Sequence, residues 1–280
     1  MLILAYHSIS SQRTDDLAIH PRQFGAQLDW LRRNYKSVPL SEAVAAYLHG
    51  APTGKLAAIT FDDGMRDNYT EAFPVLRAAG MTATIFVSID AIESGMPFRG
   101  GENLSKNANL RPEDLLPLTW GQIREMQQAG ISFGSHTFAH PRLPRLGDVD
   151  LSREIAGSKR FLENKLQVPV PFFCYPFGDF DERVKQTAIA AGYLAAFVTP
   201  PRPLSSEDAY SIRRVGVYRS NSLLELRLKA SPFGRKLHHL VRRFRTWRAP
   251  SRPFIPARAI TDDPGDPGVS EDNRKTAGSL

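Results

Sequence analysis

Two acidic residues close one apolar run, Ala57-Ala58-Ile59-Thr60-Phe61-Asp62-Asp63-Gly64. Two histidines close another, Phe133-Gly134-Ser135-His136-Thr137-Phe138-Ala139-His140. Two carboxylates and two imidazoles just beyond strand-like runs are the parts of a hydrolytic metal site, in which three ligands hold an ion and a spare carboxylate deprotonates water. Neither motif is specific alone. Asp-Asp before Gly often makes a turn, and His-x3-His is common on exposed helices. Parallel α/β folds, however, place ligands and catalytic groups at the C-terminal ends of strands. Here Tyr6-His7 and Pro176-Phe177-Gly178 end two further runs on that same edge.

The elements that must position these groups read as alternating strands and helices. Strands are expected over Leu2–Tyr6, Leu56–Phe61, Thr82–Ser88, Ile131–Ser135, Pro171–Tyr175, Leu194–Thr199 and Ile212–Val217, with a weaker one near Ser37–Leu40. Helical periodicity joins Phe24, Leu28 and Leu31, and less tidily Ile155, Phe161, Leu162 and Leu166. Ser41 with Glu42 opens another helix, and Thr119 with Gln122 fits a capping box. Gly80, Gly130 and Gly192 each stand where a helix ends before a strand. This alternation implies a parallel sheet, open or closed into a barrel. The segment from Asp90 to Pro117 is too long for a simple connection and is expected to be an excursion over the active face.

The chain has 280 residues, 42% of them apolar and 23% charged, which suits a soluble globular protein with a sizeable core. Cys174 is the only cysteine, so no internal disulfide exists. The run Met1–His7 lacks a basic leader and reads as a strand, which makes a cytoplasmic location the expectation. Net charge is +7 but uneven: residues 1–225 hold 24 Lys and Arg against 24 Asp and Glu. Residues 226–258 hold ten basic residues and no acid. A neutral domain argues against a nucleic-acid partner. Within the basic segment Leu237, Leu240, Val241, Phe244 and Trp247 form an apolar stripe. Residues 235–247 thus fit a basic amphipathic helix, lying at the inner face of an anionic membrane or packed on the domain. Residues 259–280 have a disordered composition.

Thr60-Phe61-Asp62-Asp63-Gly64, Ser135-His136-Thr137 with His140-Pro141, and Tyr175-Pro176-Phe177-Gly178 resemble, in order, the first three motifs of the polysaccharide deacetylases. This is the NodB-homology group, carbohydrate esterase family 4. Tyr6-His7-Ser8-Ile9 and Asp67-Asn68-Tyr69 look like its members too, and the pattern is nearest to the poly-N-acetylglucosamine deacetylase branch. The resemblance covers about residues 2–217. It implies a distorted (β/α) barrel of about seven parallel strands, a single domain over 1–225, and metal-dependent N-deacetylation of an N-acetylglucosamine-type sugar in a polysaccharide or lipid-linked glycan.

Carried over by position, Asp63, His136 and His140 are the expected ligands of a divalent metal, zinc by preference, and Asp62 is the general base. The backbone N–H of Phe177 would serve the oxyanion, with Tyr175 and Pro176 beside the substrate. Phe177 stands where the family usually has Tyr. Two further positions depart from the pattern. Cys174 stands where members commonly carry the Arg that steadies the base, and no histidine lies between His140 and His238 to be the late general acid. Arg214 is the expected substitute for the first and His7 for the second. Tyr6, Tyr69, Tyr175 and Trp120 are candidate sugar platforms, and His20, His49, His238 and His239 read as surface or tail residues. The alternatives are a catalytically silent sugar-binding barrel and a metal-dependent amidase acting outside sugars.

Overall fold

Each apolar run that ends in an acid or an imidazole is a strand. The computed structural model describes residues 1–99, 110–199 and 207–231. The stretch 232–258, with its amphipathic positions 235–247, and the tail 259–280 lie outside the described residues. In chain order the strands are β1 (Leu2–Tyr6), β2 (Ser8–Ile9), β3 (Ala18–Ile19), β4 (Lys36–Ser37), β5 (Leu56–Phe61), β6 (Thr84–Val87), β7 (Ser132–Ser135), β8 (Phe172–Cys174), β9 (Ala195–Val198), β10 (Ile212–Arg213) and β11 (Val215–Gly216). The main sheet runs β10-β9-β8-β7-β6-β5-β1-β11, with β4 added beside β5. Every pair in it is parallel.

Seven long strands were expected, and the seventh run is in fact two. It breaks at Arg214, so that β10 pairs with β9 while β11 pairs with β1, Leu4 opposite Val215. The Arg214 N–H still donates to the Val198 carbonyl at 2.9 Å, and the Val217 N–H to that of Ala5 at 2.9 Å. One short run therefore touches both ends of the sheet, giving a nearly closed barrel of eight strands, with helices outside.

Side chains alternate across a strand, and that parity sorts the core into two. Ile3, Ala58, Phe86, Phe172, Cys174, Phe197 and Ile212 form one cluster with Val38, Leu40, Ala43 and Val44, filling the barrel. Leu2, Leu4, Tyr6, Ile59, Phe61, Ile85, Phe173 and Tyr175 belong to the larger cluster shared with the helices. The interior is narrow. A Cβ on Gly134 would stand 2.5 Å from the Phe86 ring, so only glycine fits there.

The helix over Trp120–Gln128 begins with the expected capping box, Thr119 and Gln122 bonding reciprocally. Gly80, Gly130 and Gly192 adopt the left-handed conformation at φ +65, +90 and +79°. The helix expected from Ser41 starts at Leu40, after Pro39, and has no side-chain cap. His20, read as a surface residue, caps the helix Pro21–Asn34 by accepting from the Arg22 N–H at 3.2 Å. The excursion after β6 begins as a helix, Ile89–Ser94. Its far end is tied to the Asp62–Gly64 turn, with the Leu118 N–H donating to Gly64 at 2.9 Å and the Arg66 N–H to Leu116 at 2.8 Å. Two π-type turns, Asn68–Ala72 and Arg153–Gly157, had no signal in the sequence. Such turns are often found at functional sites.

Candidate active site

The residues expected to act together come from five strand ends. Asp62 and Asp63 follow β5, His136 and His140 follow β7, Phe177 follows β8, His7 follows β1, and Arg214 stands between β10 and β11. Asp63 Oδ1 lies 3.6 Å from His136 Nε2 and 3.5 Å from His140 Nε2. All three side chains are buried. Tetrahedral coordination with ligand bonds of about 2.0–2.1 Å puts donor atoms about 3.4 Å apart, so both Asp63 spacings suit a small divalent ion.

The surroundings fit a cation equally well. Asp63 Oδ1 is buried and has no hydrogen-bond partner. Burial, and next the neighbouring Asp62 charge, push its carboxyl well above the usual range. Burial lowers His136 to about 4, and holds His140 well below its ordinary value. His136 donates its Nδ1–H to the Cys174 carbonyl at 2.7 Å, which fixes the tautomer and leaves Nε2 free as a ligand. A second grouping, Asp62, His136 and Cys174, also brings donor atoms together. It is a poorer metal site, because a guanidinium already occupies it.

That guanidinium is Arg214. Nη1 donates to Asp62 Oδ1 at 2.8 Å and Nη2 to Oδ2 at 2.6 Å, a bidentate pair. Nη1 also reaches Thr60 Oγ1 at 3.0 Å and Nη2 reaches Cys174 Sγ at 3.0 Å. Its carbon lies 5.4 Å from the centre of the Phe86 ring. Burial alone would raise the Asp62 carboxyl, but the charge and hydrogen bonds of Arg214 override it and hold it well below the ordinary value. The small Cys174 leaves room for an arginine arriving from the opposite end of the sequence.

His7 is partly buried, and its Nδ1 has no partner. Burial lowers its pKa, Asp62 opposes that change, and Arg214 adds to it. Asn68, first residue of a π-type turn, donates to the His7 carbonyl at 2.9 Å. Beside it Ser8 donates to Asp67, and the Arg13 guanidinium bonds Asp15 at 2.9 and 3.0 Å and Ser8 at 3.1 Å. Burial raises the Asp67 carboxyl to about 7. The sequence singled out Tyr6-His7-Ser8-Ile9 and Asp67-Asn68-Tyr69 separately, but not Arg13 and Asp15, which join them here.

Backbone strain is concentrated here. Asp63, Thr137, His140 and Phe177 have φ of +72, +72, +57 and +61°, and Gln167, a helix C-cap, is the one other non-glycine residue so placed among the described residues. A side chain in that region costs about 1–2 kcal/mol, so surrounding bonds must hold it. The Phe177 ring packs edge-on to His140 at 4.6 Å, with the Arg142 guanidinium 4.4 Å from its centre. Phe98 packs on another side of His140 at 5.2 Å. Of the proposed sugar platforms, Tyr6 and Tyr175 are buried, with their hydroxyls donating to Gln27 and to the Tyr210 carbonyl at 3.0 Å each. Pro176 is buried too. Tyr69 and Trp120 remain partly exposed, bonded to Glu125 and Glu93.

Fold and site define a nearly closed parallel α/β barrel with an acid–imidazole cluster at its strand ends. The polysaccharide deacetylase family model matches residues 49–196. YxkH of Bacillus subtilis, named as a polysaccharide deacetylase, is 34% identical over 218 residues, covering 77% of this chain and 70% of that protein. The chain belongs to the polysaccharide deacetylase family. It is also 25% identical to the poly-beta-1,6-N-acetyl-D-glucosamine N-deacetylase of Escherichia coli over 79% of its own length, although it spans only 37% of that larger protein. Among solved structures, the Streptococcus pyogenes deacetylase PplD superposes with a TM-score of 0.69 at 25% identity, over 83% of this chain and 98% of that one. IcaB from Ammonifex degensii gives 0.64 at 25%, over 80% and 94%.

Proposed function

We propose that this chain is a metal-dependent N-deacetylase acting on N-acetylglucosamine-type residues of a glycan. One observation carries the reading: an unpartnered buried Asp63 oxygen faces two imidazole nitrogens at 3.5–3.6 Å, beside an Asp62 locked in its ionised form. Asp63, His136 and His140 would hold the divalent ion, with zinc favoured by one carboxylate and two imidazoles. When bound, the ion polarises the amide carbonyl and acidifies water.

The chain's own residues do the rest. Each Asp62 oxygen accepts one bond from Arg214 and keeps a second lone pair for the proton of the attacking water. Arg214 gives that carboxylate a fixed plane. The Phe177 N–H serves the oxyanion that forms as water adds to the carbonyl carbon. Collapse breaks the C–N bond and the amine leaves with a proton from His7. Because burial keeps His7 neutral before reaction, it must first receive from Asp62 the proton that water surrendered, and passing that proton to the amine returns Asp62 to its carboxylate and His7 to its neutral form.

Acetate release from poly-β-1,6-N-acetylglucosamine and chitin oligomers, with and without added zinc, tests the reading. Zinc-dependent release that disappears in Asp62→Asn supports it. A wild type that binds the oligomers and releases nothing favours a silent sugar-binding barrel. Release only from non-sugar acetamides favours an amidase.

A further inference from the structure

The turn that carries both histidine ligands has almost no backbone support of its own. Four successive N–H groups, of Thr137, Phe138, Ala139 and His140, all donate to side chains. Thr137 donates to Ser135 Oγ at 3.3 Å and His140 to Thr137 Oγ1 at 2.9 Å, both local bonds. The other two leave the turn: Phe138 at 2.8 Å and Ala139 at 3.0 Å both donate to Glu154 Oε2. The opposite edge is held by donors to its carbonyls. Ser88 Oγ and the Asp90 N–H reach Phe138 O at 3.0 and 2.9 Å, and the Ile89 N–H reaches Thr137 O at 3.3 Å.

Glu154 is itself held. It lies in the π-type turn Arg153–Gly157 and is 8% exposed. The irregular turn leaves carbonyls for other donors. Ser158 Oγ donates to Glu154 O at 2.6 Å and to Ile155 O at 2.9 Å, and Tyr193 donates to Ile155 O at 3.1 Å. Ser158 Oγ also meets Ser135 Oγ at 2.8 Å. The carboxylate therefore sits on a fixed base and takes two N–H donors, from half-buried Phe138 and exposed Ala139. Two residues of the turn, Thr137 and His140, are held at positive φ.

We infer that Glu154 is the positioning residue of the His136–His140 turn and sets the affinity of the site for its metal. The inference rests on the metal reading of Asp63, His136 and His140. Partners that orient metal ligands typically account for 10–100-fold in affinity. One oxygen accepts both bonds, so glutamine, which keeps one acceptor oxygen in the same place, should preserve the function that alanine removes.

Zinc dissociation constants, measured by competition with a chromophoric chelator, test this in the full chain. Glu154→Ala is expected to weaken zinc binding by about 10–100-fold, and Glu154→Gln to remain within a few-fold of wild type. A merely structural role would lower the melting temperature of metal-free protein without moving the constant. If Glu154→Ala does not fold, Glu154→Asp, one methylene too short, gives the same readout. Unchanged affinity in Glu154→Ala or Glu154→Asp overturns the inference, as does a Glu154→Gln variant as weak as alanine. Wild type that binds no zinc overturns the metal reading, and this inference with it.

Discussion

Arg214 grips Asp62 through two hydrogen bonds of 2.8 and 2.6 Å, although 152 positions separate them in the chain. The pair is buried at both ends, with 1% and 5% of the side chains exposed. Removing one partner of such a pair leaves a bare charge in a medium that solvates it poorly, which costs about 3–5 kcal/mol.

Arg214→Met should therefore lower stability by that amount and kcat by at least ~100-fold. With the guanidinium gone, burial prevails and the Asp62 pKa rises. The base then stays protonated to higher pH, so the acid limb of the kcat/KM profile moves upward. Asp62, held low in the folded wild type, stabilises the fold above its unfolded pKa, and that contribution is lost as pH falls towards the folded value. Arg214→Lys should recover part of the charge effect and little of the orientation. Denaturant midpoints and pH–rate profiles check both, and an unmoved acid limb would contradict the assignment.

His7→Gln should reduce kcat by ~100-fold or more while KM and zinc affinity stay near wild type. Parallel losses in zinc affinity would mean that His7 supports the metal site rather than the leaving amine.

Zinc binding should release about one proton wherever free Asp63 is still protonated, since a metal takes the ionised carboxylate. Affinity then rises with pH and levels off once Asp63 is ionised without metal. Well above the His136 value, which burial lowers to about 4, the histidines add no further proton, since burial holds His140 low as well. Calorimetry in two buffers of different ionisation enthalpy counts the proton; a count of zero at low pH would show Asp63 already ionised.

Gly64→Ala should destabilise the protein more than Gly80→Ala. Both glycines have positive φ, +75 and +65°, but a Cβ at Gly64 would lie 2.9 Å from Val87 Cγ1 while Gly80 faces open space. The conformational part is about 1 kcal/mol at either site, and crowding adds about 1–3 kcal/mol at Gly64. Melting temperatures of the two variants would separate them by several degrees.

Much of this site could be read from residue type and strand parity. Asp62 shares a parity with Ala58 and Thr60, and Arg214 with Ile212, which puts all of them on the barrel's inner side. The same count sends Tyr6 and Tyr175 outward, so their exclusion as sugar platforms was available in the sequence. Glu154 and Arg13 were not. Arg13 comes within 3.8 Å of Asp67 only through the fold, and nothing local distinguishes a buried Glu154 in a π-type turn from any glutamate on a helix. Likewise the split at Arg214 depends on which strands flank it, a relation that no window along the chain contains.

The placement of Arg214 between β10 and β11 has a consequence for how the molecule is made. A chain emerging in sequence order displays Asp62, Asp63, His136 and His140 well before residue 212 is available. Until then Asp62 lacks its guanidinium partner, and burying it without that partner would favour the protonated form. The run that joins the first strand to the last therefore also delivers the counter-charge of Asp62.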